Sequence, residues 1–295
     1  MSVKVTLECA HCLLERAINQ VKLATDDPDI QMNVTAALLD FLSKSFNSEA
    51  VPSHIGTSRD LLVQKMTGRD PYAELKTISN AMALDLLPEL RLLMEESSGQ
   101  ASRFRRATLI AAAANAIEFD VSGRDFDLDE LRGIIERVES DLAIDEVDEF
   151  MSLCQGAKEV LYLLDNAGEV VLDMILISEI KKLGLNVIAV VKGGPVLNDA
   201  TMIDAKEVGL DGCADKVIDT GAAAIGVNPD KNSKEFLDIF QKAKLIIAKG
   251  MGNFESLTEL EPHCPVVHIL RTKCPPVARH IGTELNKNVV LVRKP

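Results

Sequence analysis

EVLYLLDNAGEVVLDMILISEIKKLGLNVIAVV, residues 159–191, carries the two periods that decide the architecture. Its first six residues are a compact β-favouring apolar run, and NVIAVV at its end is another; between them VLDMILISEIKKLG repeats its apolar residues at helical spacing. Strand, helix, strand is the unit of a parallel sheet, because parallel neighbours need a crossover between them. The alternation continues through TMIDAKEVG, KVID, SKEFLDIFQKA and LIIAK, and VVHIL at 266–270 and NVVLV at 288–292 add two further strands. The pattern does not give the direction of the last one. The fold class is therefore α/β with a mostly parallel sheet.

Upstream of this region the texture differs. From Cys9 to about Gln155 apolar residues recur at helical spacing, as in Leu84, Leu87, Leu90 and Leu93 or in the Ala-rich run 107–116, with breaks at Asp27–Asp29, Pro52, Gly68–Pro71 and Ser122–Asp129. Residues 1–155 are read as an all-helical domain and 156–295 as the α/β domain. No internal repeat or low-complexity tract interrupts either.

The chain has 295 residues and 47% hydrophobic content, enough for a sizeable core. The opening MSVKVTLECAHC lacks the apolar core of a signal peptide, and no stretch approaches the apolar length of a membrane span, so a cytoplasmic protein is expected. A formal charge of −13 argues against nucleic acid or an anionic membrane as partner. The acidity is concentrated in residues 1–155, while 156–295 are nearly balanced and can receive an anion where basic groups and main-chain N–H groups converge.

Ligands of open α/β sheets bind beyond the carboxyl ends of the strands. Here those ends are unusually polar: Asp165-Asn166-Ala-Gly-Glu169 after EVLYLL, Lys192-Gly-Gly-Pro-Val-Leu-Asn198-Asp199 after NVIAVV, Thr220-Gly221 after KVID, and Lys249-Gly-Met-Gly-Asn253-Phe-Glu255 after LIIA. Asp165, the Asn166 amide oxygen and Asp199 are the hard oxygen donors that a divalent cation takes. Gly193, Gly194, Gly250 and Gly252 let main-chain N–H groups approach phosphate oxygens, and Lys249 adds a point charge. The chemistry these groups suggest is phosphoryl transfer to water. Taken singly, each cluster is as well read as a turn with a helix cap or a solvated lysine, and GMGNFE does not fit the P-loop pattern. Convergence of three clusters on one rim favours a site.

DNAGE at 165–169, KGGPVLND at 192–199 and KGMGNFE at 249–255 resemble, in this order, the metal-dependent damage-control phosphatases once catalogued as domain-of-unknown-function family 89. CAHC near the start, NAIEFD at 115–120 and RTKCPPVA at 271–278 resemble the compact prokaryotic and archaeal branch. The resemblance implies a helical N-terminal part that helps to roof the active site, joined to a Rossmann-like α/β/α sandwich. It implies a divalent cation (magnesium, manganese, cobalt or nickel) held by Asp165, Asn166 and Asp199, with Lys249, Gly250, Asn253 and Gly193 toward the phosphate of a small phosphorylated metabolite. Asn115 is implied to reach the same site, with Glu118 or Asp120 as its paired acid, and Glu169 is a supporting carboxylate. Asp165 and Asp199 are then the catalytic carboxylates beside Lys249; attack by Asp165 itself on phosphorus is an alternative that no DxD pattern favours.

Two rival functions fit the same sheet: methyl transfer from S-adenosylmethionine to a carboxylate, and non-catalytic binding of a nucleotide or metabolite. The six cysteines are not a disulfide framework. Cys9 and Cys12, with Cys274 implied by the resemblance as a third member, form either a separate thiol cluster or ordinary packing.

Overall fold

A computed structural model describes residues 2–114 and 128–295. Helices α1 (Leu7–Ala24), α2 (Pro28–Ser45), α3 (Pro52–Thr67), α4 (Ala73–Asp85), α5 (Leu87–Glu95) and α6 (Gln100–Ala113) precede α7 (Leu128–Ser140). Local chemistry sets their ends. Asp27 caps α2 by accepting from the N–H groups of Asp29 and Ile30, with Pro28 in the first turn. Helix α3 opens on Pro52 and stops at Gly68, whose φ of 70° few other residues adopt. In α6 every residue from Ala107 to Ala113 is buried, so the C-terminal half of this helix lies inside the protein.

The remainder alternates: β1 (Leu142–Asp145), α8 (Val147–Gly156), β2 (Glu159–Leu163), α9 (Glu169–Lys182), β3 (Asn186–Val191), α10 (Met202–Glu207), β4 (Lys216–Asp219), α11 (Lys234–Lys242), β5 (Ile246–Lys249), α12 (Gly250–Leu257), β6 (Val266–Arg271), α13 (Pro275–Ile281) and β7 (Asn288–Arg293). The seven strands form one sheet in the order β1-β7-β6-β5-β2-β3-β4. All pairs are parallel except β6 with β7, which run antiparallel from Val266↔Arg293 to Arg271↔Asn288. This settles the direction of the last strand. It also corrects one element: Leu142–Asp145 lies in the stretch expected to be wholly helical, yet pairs with β7 at the edge of the sheet.

Both faces of the sheet are covered, so its central strands are apolar on both sides. Val160, Tyr162 and Leu164 pack into one core with α6 and α9, while Leu161 and Leu163 pack into a second with Phe236, Phe240 and Leu257 from α11 and α12. Each fully buried aliphatic side chain contributes about 1.5–3 kcal/mol. From β2 the chain moves outward through β3 and β4, then returns across the sheet to β5 on the other side of β2. The carboxyl ends of β2 and β5 therefore flank the point where connections diverge, which is where an open sheet binds its ligand. Helices α3 and α4 pack on α12 and α9, the helices that start at those two ends. Among the described residues no helix is long and apolar enough to cross a membrane.

Candidate active site

The turns after β2 and β3 are joined by their main chains. Ala167 N donates to Asn198 O at 2.9 Å and Ala200 N to Asp165 O at 2.8 Å, while Lys192 N donates to Ala200 O at 2.8 Å. Asn166 and Asp199 form an antiparallel bridge as a result. Two motifs separated in sequence thus present Asp165, Asn166 and Asp199 on adjoining segments. The Asn166 amide nitrogen donates to Glu169 Oε1 at 2.9 Å and lies 3.4 Å from Asp165 Oδ2.

From β5 comes the opposite wall. Gly250 has φ 74°, and a Cβ placed on it would lie 1.7 Å from Asp165 Oδ2. The glycine is required both by its left-handed backbone and by the carboxylate resting on it. Helices α9 and α12 both begin at this corner, at Glu169 and Gly250, so their N-terminal N–H groups bring partial positive charge to it.

Several predicted residues are placed with partners of their own. The Lys249 ammonium is fully buried, 2.6 Å from Asp173 Oδ1, 2.8 Å from the Ala111 carbonyl and 3.9 Å from Glu169 Oε2. It thereby caps the last turn of α6 as well as pairing Asp173. Asn253 donates to Leu164 O and Lys249 O, at 3.1 and 2.8 Å, and its Oδ1 accepts from Lys192 Nζ at 3.3 Å. Gly193 gives its N–H to Ala222 O, at 3.0 Å, and Thr220 Oγ1; a Cβ there would sit 2.2 Å from Ala222 N. Close packing of two turns accounts for that glycine. Asn115, Glu118 and Asp120 lie outside the described residues.

Lys192, Asp173 and Asn80 belong to this corner without having been picked out as site residues. Lys192 Nζ is buried, 3.6 Å from Asp199 Oδ2. Asn80 of α4 accepts from Gly168 N at 2.8 Å and donates to Asp204 and Glu207, bracing the DNAGE turn from the helical part. Asp173 also accepts from the buried Tyr162 hydroxyl at 2.9 Å. Lys192 already stood in the polar cluster after NVIAVV, but an asparagine inside a helix is common, so only the folded chain gives Asn80 this place. The one available signal for Asp173 was an acid one turn into an otherwise apolar stretch of helix.

Burial dominates the electrostatics. It pushes the Asp165 carboxyl well above the ordinary range, with Glu169 and Asp199 adding to the effect and Lys192 and Lys249 opposing it. Burial likewise raises Asp199 to about 6 against the pull of Lys192, with Asp60 contributing as a like charge. For Lys249, burial acts downward, but Asp173 and Glu169 outweigh it and hold the ammonium above the usual lysine value.

The residues fit a hard divalent cation. Asp199 Oδ2 is buried without a hydrogen-bond partner, and mutual repulsion between Asp165 and its acidic neighbours is what a cation relieves. Among the described residues no three His, Cys, Asp or Glu side chains are gathered as a cage, and a donor set here would include the Asn166 amide oxygen.

The cysteines lie elsewhere. Cys9 is buried, Cys12 exposed and Cys274 partly buried; burial pushes the Cys274 thiol up to about 11, and Glu255, Cys9 and Cys12 act on it in the same direction.

The damage-control phosphatase ARMT1-like domain matches residues 5–289 of the chain. The chain belongs to this family. An uncharacterised protein of Methanocaldococcus jannaschii is 38% identical over 297 residues, spanning 99% of this chain and 96% of that protein. A damage-control phosphatase of Archaeoglobus fulgidus is 34% identical, with 98% and 99% covered. The crystal structure of a DUF89 family protein from Pyrococcus horikoshii superposes with a TM-score of 0.88 at 34% identity, covering 99% of both chains. These relatives support a phosphatase role.

Proposed function

We propose that the protein is a divalent-metal-dependent phosphatase that hydrolyses phosphate monoesters of small metabolites, such as sugar phosphates or damaged phosphometabolites. The observation that carries this reading is the bridged pair of turns that sets Asp165, Asn166 and Asp199 together, with Asp199 Oδ2 buried without a hydrogen bond and 3.6 Å from the Lys192 ammonium, at the strand ends where α9 and α12 begin. Asp165, Asn166 and Asp199 would hold the cation, which when bound supplies Lewis-acid polarisation and a more acidic water. The chain's own contribution is a preorganised field. Lys192 and Lys249 are fixed by buried partners, so the positive potential they bring to this corner is in place before a substrate arrives. Glu169 orients the Asn166 amide, and Gly250 gives Asp165 its seat.

The test is phosphate release from an aryl phosphate and a panel of phosphorylated metabolites, with magnesium, manganese, cobalt and nickel in turn. Metal-stimulated release is expected, and Asp199→Ala should lower it on the order of 10²-fold or more while circular dichroism is unchanged. Release that is indifferent to chelator, or equal in Asp199→Ala, would overturn the reading. Saturable uptake of S-adenosylmethionine without phosphate release would point to methyl transfer instead.

A further inference from the structure

The turn that carries Asp199 is held in an unusual backbone shape. Leu197 has φ 47°, a left-handed conformation that among the described non-glycine residues only Asn286 shares. Asp199 N closes the turn on Val196 O at 3.1 Å. A branched apolar residue does not choose this conformation unaided, so its surroundings must impose it.

They do so from α3. Asp60 Oδ2 accepts from Leu197 N at 3.2 Å, and Gln64 Nε2 donates both to Asp60 Oδ2, at 2.7 Å, and to the Pro195 carbonyl, at 3.0 Å. Asp60 and Gln64 are four residues apart and share one helix face. The other oxygen of Asp60 accepts from Gln20 Nε2, while Gln20 Oε1 accepts from Arg59 Nε at 2.7 Å. Arg59, Gln20 and Asp60 are all fully buried. Arg59 therefore fixes which way the Gln20 amide points, Gln20 fixes Asp60, and Asp60 meets the main chain two residues before Asp199.

We propose that Asp60 is a positioning residue: through the Leu197 amide it holds the left-handed turn from which Asp199 projects, and thereby sets the affinity of the site for a divalent cation. The statement about affinity rests on the phosphatase reading above; the statement about the turn does not. Asp60 spends its oxygens on three N–H donors, so its work is to shape the turn and not to touch the substrate.

Two measurements test it. Hydrogen exchange of the segment 194–200 reads the turn without metal, and titration with Mn2+ reads the site. Asp60→Ala should speed exchange at the amides of Leu197, Asp199 and Ala200 by about tenfold or more and weaken Mn2+ binding by about tenfold. Asp60→Asn keeps the size but offers one acceptor oxygen to three donors, and should fall between. Adding Gln20→Glu supplies an acceptor for the new amide and should recover most of the loss, which also serves if Asp60→Ala folds poorly. The decisive background is Leu197→Gly, which adopts the turn without strain; there Asp60→Ala should change Mn2+ binding less than about threefold, although its effect on melting persists. Unchanged exchange in Asp60→Ala, or a loss of binding as large in the Leu197→Gly background as in the parent, overturns the proposal. A parent protein that takes up no Mn2+ overturns the phosphatase reading, and the exchange rates then decide the clamp alone.

Discussion

Gly250→Ala separates a backbone cost from a functional one, because the fold contains its own control. Gly250 and Gly68 have nearly the same left-handed φ, 74° and 70°, but a Cβ on Gly68 meets nothing within 4 Å, whereas one on Gly250 falls 1.7 Å from Asp165 Oδ2. Each substitution carries the left-handed penalty of about 1–2 kcal/mol. For a domain of this size that lowers the melting temperature by about 2–4 °C per kcal/mol. Gly68→Ala should show this and nothing more. In Gly250→Ala the carboxylate must also shift by more than an ångström to restore an ordinary contact, which displaces it from the seat it holds beside Asn166. Losing one of two charged donors should weaken Mn2+ binding, read by titration, on the order of 10²-fold. Phosphate release should fall with it. If Gly250→Ala binds Mn2+ and releases phosphate as Gly68→Ala does, Asp165 is not the ligand that the geometry makes it.

Burial raises the Glu255 carboxyl from 4.5 to about 7, against Arg16 and the Ser53 N–H. The folded state then holds this proton more tightly than the unfolded one, so the stability it confers is full below about pH 4.5 and is lost as pH rises through about 7, by up to about 3 kcal/mol. Glu255→Gln should therefore unfold at higher urea than the parent at pH 8 and at the same urea at pH 4.5; a difference independent of pH would refute this. Lys249→Ala leaves Asp173 buried and uncompensated, and should cost about 3–5 kcal/mol in urea melts. A stability loss below about 1 kcal/mol would show that the pair is not the anchor it is drawn to be.

The sheet was legible because β2, β3 and β5 are buried on both faces and so are written as unbroken apolar runs. β1 was not: LAID is four residues at an edge, half of it exposed, and nothing local distinguishes it from a helix end. The same contrast runs through the site. Asp165, Asn166 and Asp199 announce themselves because strand ends are where polar clusters have no packing reason to be. Asp60 and Asn80 sit inside helices, and their meaning lies in main-chain groups more than 80 residues away, at Leu197 and Gly168. Gly193 and Gly250 were read as glycines that bring main-chain N–H groups to a phosphate; sequence could not say that one answers to a neighbouring turn, to which it gives its N–H, and the other to a carboxylate.

The antiparallel strand β7 lies between β6 and β1, and it is β1's neighbour in the sheet. Residues 142–145 emerge from the ribosome long before 288–293, so β1 has nothing to pair with while β2 to β6 are being made. Its closure spans half the chain and comes late. Once β6 is made, its edge stays unpaired until β7 follows, and with β1 waiting as well this is when the nascent protein is most open to pairing with the wrong strand.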